Sequence, residues 1–159
     1  MWDIDVFRNN EFFSVIEVVD SKEFFDDLFF RLSLCDLNVL IIDCGNRFDP
    51  YSIVRKAKYT HVDYRNILKK LNITRMFTVH QLLNTIENLD ESEFDFVFVY
   101  YMDILLMDNS YNKNEIKNVV NHASDIIQKM KISIGFNMDD KFFVKDLKDK
   151  LIGLGEFYG

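Results

Sequence analysis

Acidic side chains recur where the apolar segments of this sequence end, and grouped carboxylates are the residues here that could do chemistry. Asp43 closes the segment NVLIID, Asp49 follows shortly after, and Asp103 lies just beyond a second apolar segment. Asp139 and Asp140 follow a third. Two or three such carboxylates brought together could hold a magnesium ion. Asp49 and Asp140 are also explained as helix caps, because a carboxylate is favourable at a helix N-terminus.

Histidine and cysteine, which commonly bind metals or act as nucleophiles, show no functional spacing in this sequence. His61, His80 and His122 are far apart and share no ligand pattern. Cys35 and Cys44 fit neither a zinc knuckle nor a redox pair, so we expect reduced thiols. From these residues we predict no catalytic group, no metal and no cofactor.

Short apolar segments alternate with helical patterns along the whole chain, and these elements must position the residues above. Strands are predicted over residues 12–19, 38–43, 73–77, 94–101 and 131–137. Helices are predicted to begin near Ser21, Pro50, Asp63, Thr78, Asn112 and Asp140. This order favours a single α/β domain over residues 1–159, with three layers (αβα) and a mainly parallel five-stranded sheet. The ligand crevice of such a sheet lies beyond the carboxyl ends of its strands.

Two of the predicted strands carry distinctive sequences. Residues 40–51 read LIIDCGNRFDPY, and residues 73–78 read ITRMFT and lead into a helix containing HQLL. Together, and in register with the other elements from about residue 12 to residue 137, they resemble the RecA/RadA recombinase superfamily. The resemblance implies a RecA-like core that is truncated after its fifth strand. It also implies that the first strand lies between the fourth and fifth and that the second lies at one edge.

The resemblance further implies a nucleotide site that has lost its phosphate loop. In the family, glycine backbone N–H groups wrap the phosphates, while a lysine and a hydroxyl supply charge and magnesium contacts. The corresponding residues 19–24 read VDSKEF, in which Ser21 and Lys22 remain, no glycine is present, and Glu23 replaces the hydroxyl. Ser21 is also well suited to cap the following helix. Phosphate binding is therefore not expected here.

The other positions of that site also depart from the family pattern. The family's catalytic glutamate falls at Gly45, and its magnesium-linked aspartate falls at Tyr101, with Asp103 two residues on. After the fifth strand Asn137 matches, but Met138 replaces the glutamine that senses the γ-phosphate. Phosphoryl transfer depends on positioned charges. The resemblance thus implies a degenerate paralogue that lacks the Walker motifs and does not hydrolyse ATP.

The overall charge of the chain restricts its partners. Lysine and arginine number 19 against 26 aspartates and glutamates, which gives a net charge of −7. Strong autonomous nucleic-acid binding is therefore not expected, because it calls for a basic domain or patch. The acidic N-terminus is unlike a signal peptide, and no apolar stretch is long enough to cross a membrane. A cytoplasmic location is predicted.

Aromatic residues are abundant enough to suggest that some of them contact another protein. The chain contains 16 phenylalanines, and the helical pattern directs Phe30 away from the apolar face of its helix. Trp2, Phe157 and Tyr158 lie near the chain ends. We predict that these four residues contribute to an interface. The expected partner is a second copy of the chain, a recombinase or another ATPase.

Two functions are compatible with these observations. The RecA resemblance implies a non-catalytic protein that interacts with or regulates an ATPase in DNA recombination or repair. The alternative is a small magnesium-dependent enzyme of the nuclease or phosphatase type, which would use the carboxylates at the strand ends.

Overall fold

Strands and helices alternate through the residues that the computed structural model describes, which are 14–17, 22–106, 111–129 and 133–137. The strands are β1 (Ser14–Glu17), β2 (Val39–Asp43), β3 (Leu71–Arg75), β4 (Phe96–Tyr100) and β5 (Ser133–Asn137). The helices are α1 (Lys22–Leu34), α2 (Pro50–Tyr59), α3 (Tyr64–Lys70), α4 (Val79–Glu87), α5 (Met102–Leu106) and α6 (Lys113–Lys129), with a 3₁₀ turn at Glu91–Glu93. The helix predicted from Asp140 lies outside the described residues. None of the described helices is long and apolar enough to cross a membrane.

The paired strands all run parallel, and their order across the sheet is β1-β5-β4-β2-β3. The prediction of an α/β fold with a parallel sheet is confirmed. The predicted strand order is wrong, because β1 pairs with β5 and not with β4, and because β2 is an inner strand between β4 and β3. Every residue of β2 is buried, whereas β3 exposes Ile73 and Arg75 as an edge strand does. The prediction placed β1 between β4 and β5, whereas β5 lies between β1 and β4. Which of two strands takes the inner position depends on backbone pairing, and no side-chain pattern in the sequence indicates it.

Polar caps fix the starts of three helices where the sequence predicted them. The carboxylate of Asp49 accepts from the backbone N–H of Tyr51 at 2.9 Å, and Asp63 caps α3 in the same way. Thr78 and Gln81 form a reciprocal capping box at the start of α4. The strand predicted over residues 73–77 instead runs over Leu71–Arg75, because α3 leads directly into it.

The two faces of the sheet are covered by clusters of different character. Side chains alternate along a strand. In β4, Phe96, Phe98 and Tyr100 therefore enter a largely aromatic cluster with residues of α1, α2 and α3. Val97 and Val99 point to the other face and enter an aliphatic and methionine-containing cluster with residues of α4 and α6. Both clusters are sealed from solvent along β2 and β4.

The helix α1 is packed on more than one side, which overturns one sequence-based expectation. Phe30 is only 6% exposed and belongs to the aromatic cluster, so the prediction that it faces away from the core is wrong. The physical reason is that α1 contacts β2 and also both α2 and α3, so its outer side is covered as well. Trp2, Phe157 and Tyr158 lie outside the described residues.

Candidate functional site at the carboxyl edge of the sheet

The carboxyl ends of the strands form one row at the sheet edge where α/β proteins usually bind ligands. The register aligns Asp43 with Arg75 on one side and with Tyr100 on the other. Tyr100 in turn aligns with Asn137 at the end of β5. Two of the residues singled out from the sequence, Asp43 and Asn137, thus lie in the same row of the sheet.

Asp43 is fully buried, and its carboxylate is used to hold the loop that follows it. One oxygen accepts from the backbone N–H of Arg47 at 3.1 Å, and the other accepts from that of Phe48 at 3.0 Å. The Nε atom of Arg75 lies 3.6 Å from the second oxygen. A buried charge is tolerated when it is paired and hydrogen-bonded in this way. Asp43 therefore ties β2, β3 and the loop together.

Gly45 lies where the chain has no room for a side chain. A Cβ atom there would stand 2.8 Å from Cδ1 of Ile104 and 3.0 Å from Cβ of Tyr101. The first of these contacts is shorter than real Cβ atoms show, so a larger residue would force the end of the Ile104 side chain to shift. The next residue, Asn46, has a φ of 52°, a left-handed conformation that asparagine tolerates better than most residues.

Tyr101 directly follows β4, has an unusual backbone conformation and closes the site from that side. Its φ is 57°, which is rare for a bulky residue and costs free energy. The ring is buried, meets the ring of Tyr100 edge-on with centroids 4.5 Å apart, and lies under the guanidinium group of Arg47. These contacts support the strained turn, which leads directly into α5. That short helix was not predicted from the sequence.

The phenol of Tyr100 is kept neutral by its surroundings. Burial is the main cause that raises its pKa, and the nearby Tyr101, Asp26 and Asp43 add to the effect. A neutral phenol with a strongly raised pKa cannot act as a general base at ordinary pH. Its role at the sheet edge is therefore packing and hydrogen bonding.

Two open concavities flank the loop after β2. The larger, of about 670 Å³, lies beside Arg47, Phe48, Asp49, Tyr51 and Arg75. Asp49, which caps α2, also lies 3.6 Å from the guanidinium of Arg55. The smaller concavity, of about 230 Å³, is lined mainly by apolar side chains and the loop backbone; its residues are Cys44, Gly45, Asn46, Met76, Phe77, Thr78, Ile104, Leu105 and Tyr111.

The remaining residues singled out from the sequence are placed less fully. Lys22 is the first residue of α1 and Asp103 lies within α5, but their side chains are outside the described part of the structure, as is all of Ser21. Among the described residues, no group of three or more His, Cys, Asp or Glu side chains could hold a metal ion. Neither Cys35 nor Cys44 is part of a disulfide.

The two arginines of the site, Arg47 and Arg75, were missed as functional residues. Both lie inside the sequence segments that carry the RecA resemblance, so their nearness to the strand ends could have been inferred from the sequence. The partner of Arg75 was not, because its contact with Asp43 depends on the register between β2 and β3.

Comparison with known proteins supports the fold class. No protein-family model matches the sequence, and no curated protein matches it. The fold and its sheet edge define a parallel α/β protein, and 223 solved chains resemble it in structure. One of these is the RadB recombinase, with a TM-score of 0.58 and 12% sequence identity. The alignment covers 80% of this chain and 61% of that recombinase. Because the sequence identity is so low, the likeness is one of fold alone.

Proposed function

We propose that this chain is a degenerate RecA-like protein that has no catalytic activity and acts through contacts with other proteins. In this proposal residues 1–159 form one three-layer domain with a RecA-like sheet of five strands. The expected partner is a recombinase or another ATPase, and the expected setting is DNA recombination or repair in the cytoplasm. The observation that carries the proposal is that both carboxylate oxygens of Asp43 accept hydrogen bonds from the loop after β2.

The surroundings of Asp43 argue against the magnesium-dependent alternative. Both carboxylate oxygens already accept backbone N–H groups, and Arg75 lies beside one of them. A magnesium ion at this carboxylate would be repelled by the nearby guanidinium group. It would also leave the N–H groups of Arg47 and Phe48 without their acceptor, which is costly at a buried site.

The packing around Gly45 also favours loss of catalysis. In the family resemblance this position carries the glutamate that orients water for attack on the terminal phosphate. Here even a Cβ atom would crowd Ile104 and Tyr101. The buried rings of Tyr100 and Tyr101 occupy the neighbouring end of β4. The sheet edge is thus built for packing at the points where the family places charged groups.

Isothermal titration with ATP and magnesium tests the absence of a nucleotide site. We expect no binding tighter than about millimolar, since residues 19–24 contain none of the glycines that a phosphate loop needs and Glu23 stands in place of its hydroxyl. Micromolar binding would contradict the proposal. In that case Lys22→Ala would show whether the lysine at the start of α1 takes part, because only a genuine site near α1 would lose affinity.

Binding to a purified RecA-family recombinase tests the interaction itself. We expect micromolar affinity by biolayer interferometry, together with a change in the ATPase rate of the recombinase. An unrelated α/β protein with the same net charge of −7 is the control for attraction by charge alone. No binding in the presence or absence of nucleotide, or equal binding of the control, would refute this partner class.

A further inference from the structure

The strand β3 forms one edge of the sheet, and its outer side has no pairing strand among the residues that the structure describes. An apolar side chain lies exposed at the middle of this edge, because Ile73 is 39% exposed. Proteins commonly protect an open edge with lysine, proline or a bulge. Residues 71–74 read LNIT, without lysine or proline, and the register of β3 with β2 is continuous. The edge is therefore open to another strand.

The pairing of β3 with β2 determines which backbone groups face outward. The N–H of Met76, just beyond β3, donates to the carbonyl of Asp43 at 3.1 Å, so it points towards β2. In an extended strand the N–H and C=O of one residue point to the same edge, and those of the next residue point to the opposite edge. The even-numbered residues of β3 therefore face β2. The residues that face outward are Leu71, Ile73 and Arg75.

The outward backbone groups of β3 are complementary to themselves. The N–H of Leu71 is already used, because it donates to the carbonyl of Leu68 in α3. Its C=O remains, with both groups of Ile73 and the N–H of Arg75. A second β3, antiparallel about a two-fold axis at Ile73, matches this pattern. The two copies of Ile73 would exchange a pair of hydrogen bonds, and the N–H of each Arg75 would donate to the C=O of Leu71 in the other copy.

The side chains of β3 suit the same register. Each Ile73 would lie against Ile73 of the second copy, which covers the apolar side chain now exposed at the edge. On the opposite face of the sheet, Thr74 would lie directly across from Asn72 of the second copy. The NH₂ group of Asn72 already donates to Asn38 at 2.9 Å. Its side-chain oxygen is the atom suited to accept from the Thr74 hydroxyl.

The cations at the two ends of β3 do not keep a second copy away. Nζ of Lys70, the residue before β3, lies 2.8 Å from the carboxylate of Asp36. Nε of Arg75 lies 3.6 Å from the carboxylate of Asp43. Both positive charges are thus paired within their own chain. In the two-fold register Arg75 also lies across from the apolar Leu71, so the two copies of Arg75 are at opposite ends of the contact.

We propose that β3 pairs with β3 of a second copy of this chain, antiparallel and centred on Ile73, so that the two sheets become one. An extended segment of another protein could use the same backbone groups, but a second copy supplies the matching groups and the isoleucine contact by symmetry alone. A two-fold contact closes on itself and produces a dimer, not a filament. This self-association does not depend on the recombinase partner proposed above.

Sedimentation velocity of the full chain tests the association. Only five residues of each strand take part, so we expect a weak dimer with a dissociation constant of about 10–100 μM. The average mass should rise from 19.0 kDa towards twice that value as the concentration passes through this range. A mass that stays at 19.0 kDa would refute the proposal. Species that grow beyond a dimer would refute the two-fold pairing, because they require an open assembly.

A matched pair of lysine variants locates the contact. Ile73→Lys places a charge at the centre of the pairing, and we expect it to weaken dimerisation about tenfold or more. Leu34→Lys makes the same kind of change at a side chain of α1 that is 48% exposed, and it should leave dimerisation nearly unchanged. Ile73→Pro removes an outward N–H that β2 does not use, so the variant should fold and remain monomeric. Equal effects of the two lysine variants would overturn the proposal.

Amide hydrogen exchange followed by NMR tests the register. The N–H groups of Ile73 and Arg75 should exchange more slowly at high than at low protein concentration, because pairing makes them donors. The N–H of Thr74 faces β2 and should be equally protected at both concentrations. A dimer that forms without slower exchange at Ile73 would use another surface, and that result would contradict the proposal.

Discussion

The guanidinium group of Arg47 lies 4.7 Å from the centre of the Tyr101 ring, which in turn meets the ring of Tyr100. Arg47 belongs to the loop after β2, and Tyr101 directly follows β4, so this contact joins the segments that follow two neighbouring strands. The backbone of Arg47 is held from below by Asp43 at the same time. The loop is therefore fixed from both sides.

Removal of the guanidinium group should release one of these two attachments. We expect Arg47→Met to lower the free energy of unfolding by about 0.5–1 kcal/mol, the usual range for an exposed cation on an aromatic ring. Urea denaturation measures the change, and a double-mutant cycle with Tyr101→Leu isolates the contact. A coupling free energy of zero in that cycle would show that the two side chains are neighbours without a stabilising interaction.

Loss of the Asp43 charge should be much more damaging. Asp43→Asn removes the negative charge beside Arg75. It also replaces one carboxylate oxygen with an NH₂ group, which cannot accept a hydrogen bond from the backbone N–H that it faces. We expect the free energy of unfolding to fall by about 2–3 kcal/mol. This is less than for a fully buried ion pair, because the side chain of Arg75 is partly exposed to solvent. The matched control is Asp63→Asn on α3, because asparagine caps a helix nearly as well as aspartate. Similar losses in both variants would contradict a special role for Asp43.

The crowding at Gly45 can be measured with a single methyl group. Gly45→Ala should cost about 1–2 kcal/mol because its Cβ atom would meet Cδ1 of Ile104. Ile104→Val removes that Cδ1 atom, so the alanine should be tolerated better in the double variant. Gly45→Glu should destabilise the protein at least as much and bring no ATPase activity. An additive double variant would show that Ile104 is not the obstacle.

Alkaline titration should reveal the buried phenol of Tyr100. Its folded-state pKa is raised, so the folded protein keeps this proton while the unfolded chain releases it above about pH 10. The unfolded state binds fewer protons there, and stability must fall as pH rises. In urea denaturation between about pH 9 and pH 11, Tyr100→Phe should lose less stability than wild type. Tyr59→Phe, at an exposed position, should follow wild type, and identical slopes for all three proteins would contradict the prediction.

Much of the fold could be predicted because it follows from local patterns. The sequence of β2 predicts a strand buried on both faces, and the caps at Asp49, Asp63 and Thr78 predict where helices begin. These signals act over a few residues, so neighbouring side chains are enough to identify them. The edge position that the family resemblance gave to β2 was wrong, because β2 lies between β4 and β3.

Long-range relationships could not be predicted in the same way. The contact between Asp43 and Arg75 needs the register of two strands, and the burial of Phe30 needs the position of α2 and α3 around α1. Helical periodicity identifies one buried face of a helix. It gives the wrong exposure for residues such as Phe30 when neighbouring elements pack against a second face of the same helix. The approach of Ile104 to Gly45 depends on α5, a helix too short to leave a periodic signal.

The alternation of aromatic and aliphatic residues along β4 has a consequence for how the strands align during folding. A shift of β4 by one residue between β2 and β5 would turn Phe96, Phe98 and Tyr100 towards the cluster that now holds Val97 and Val99. Three rings would then overfill one compartment, while the other would be left with voids. A shifted register is therefore destabilised on both faces of the sheet, by overpacking on one and by voids on the other. The size difference between adjacent side chains of β4 thus favours the native register over its one-residue alternatives.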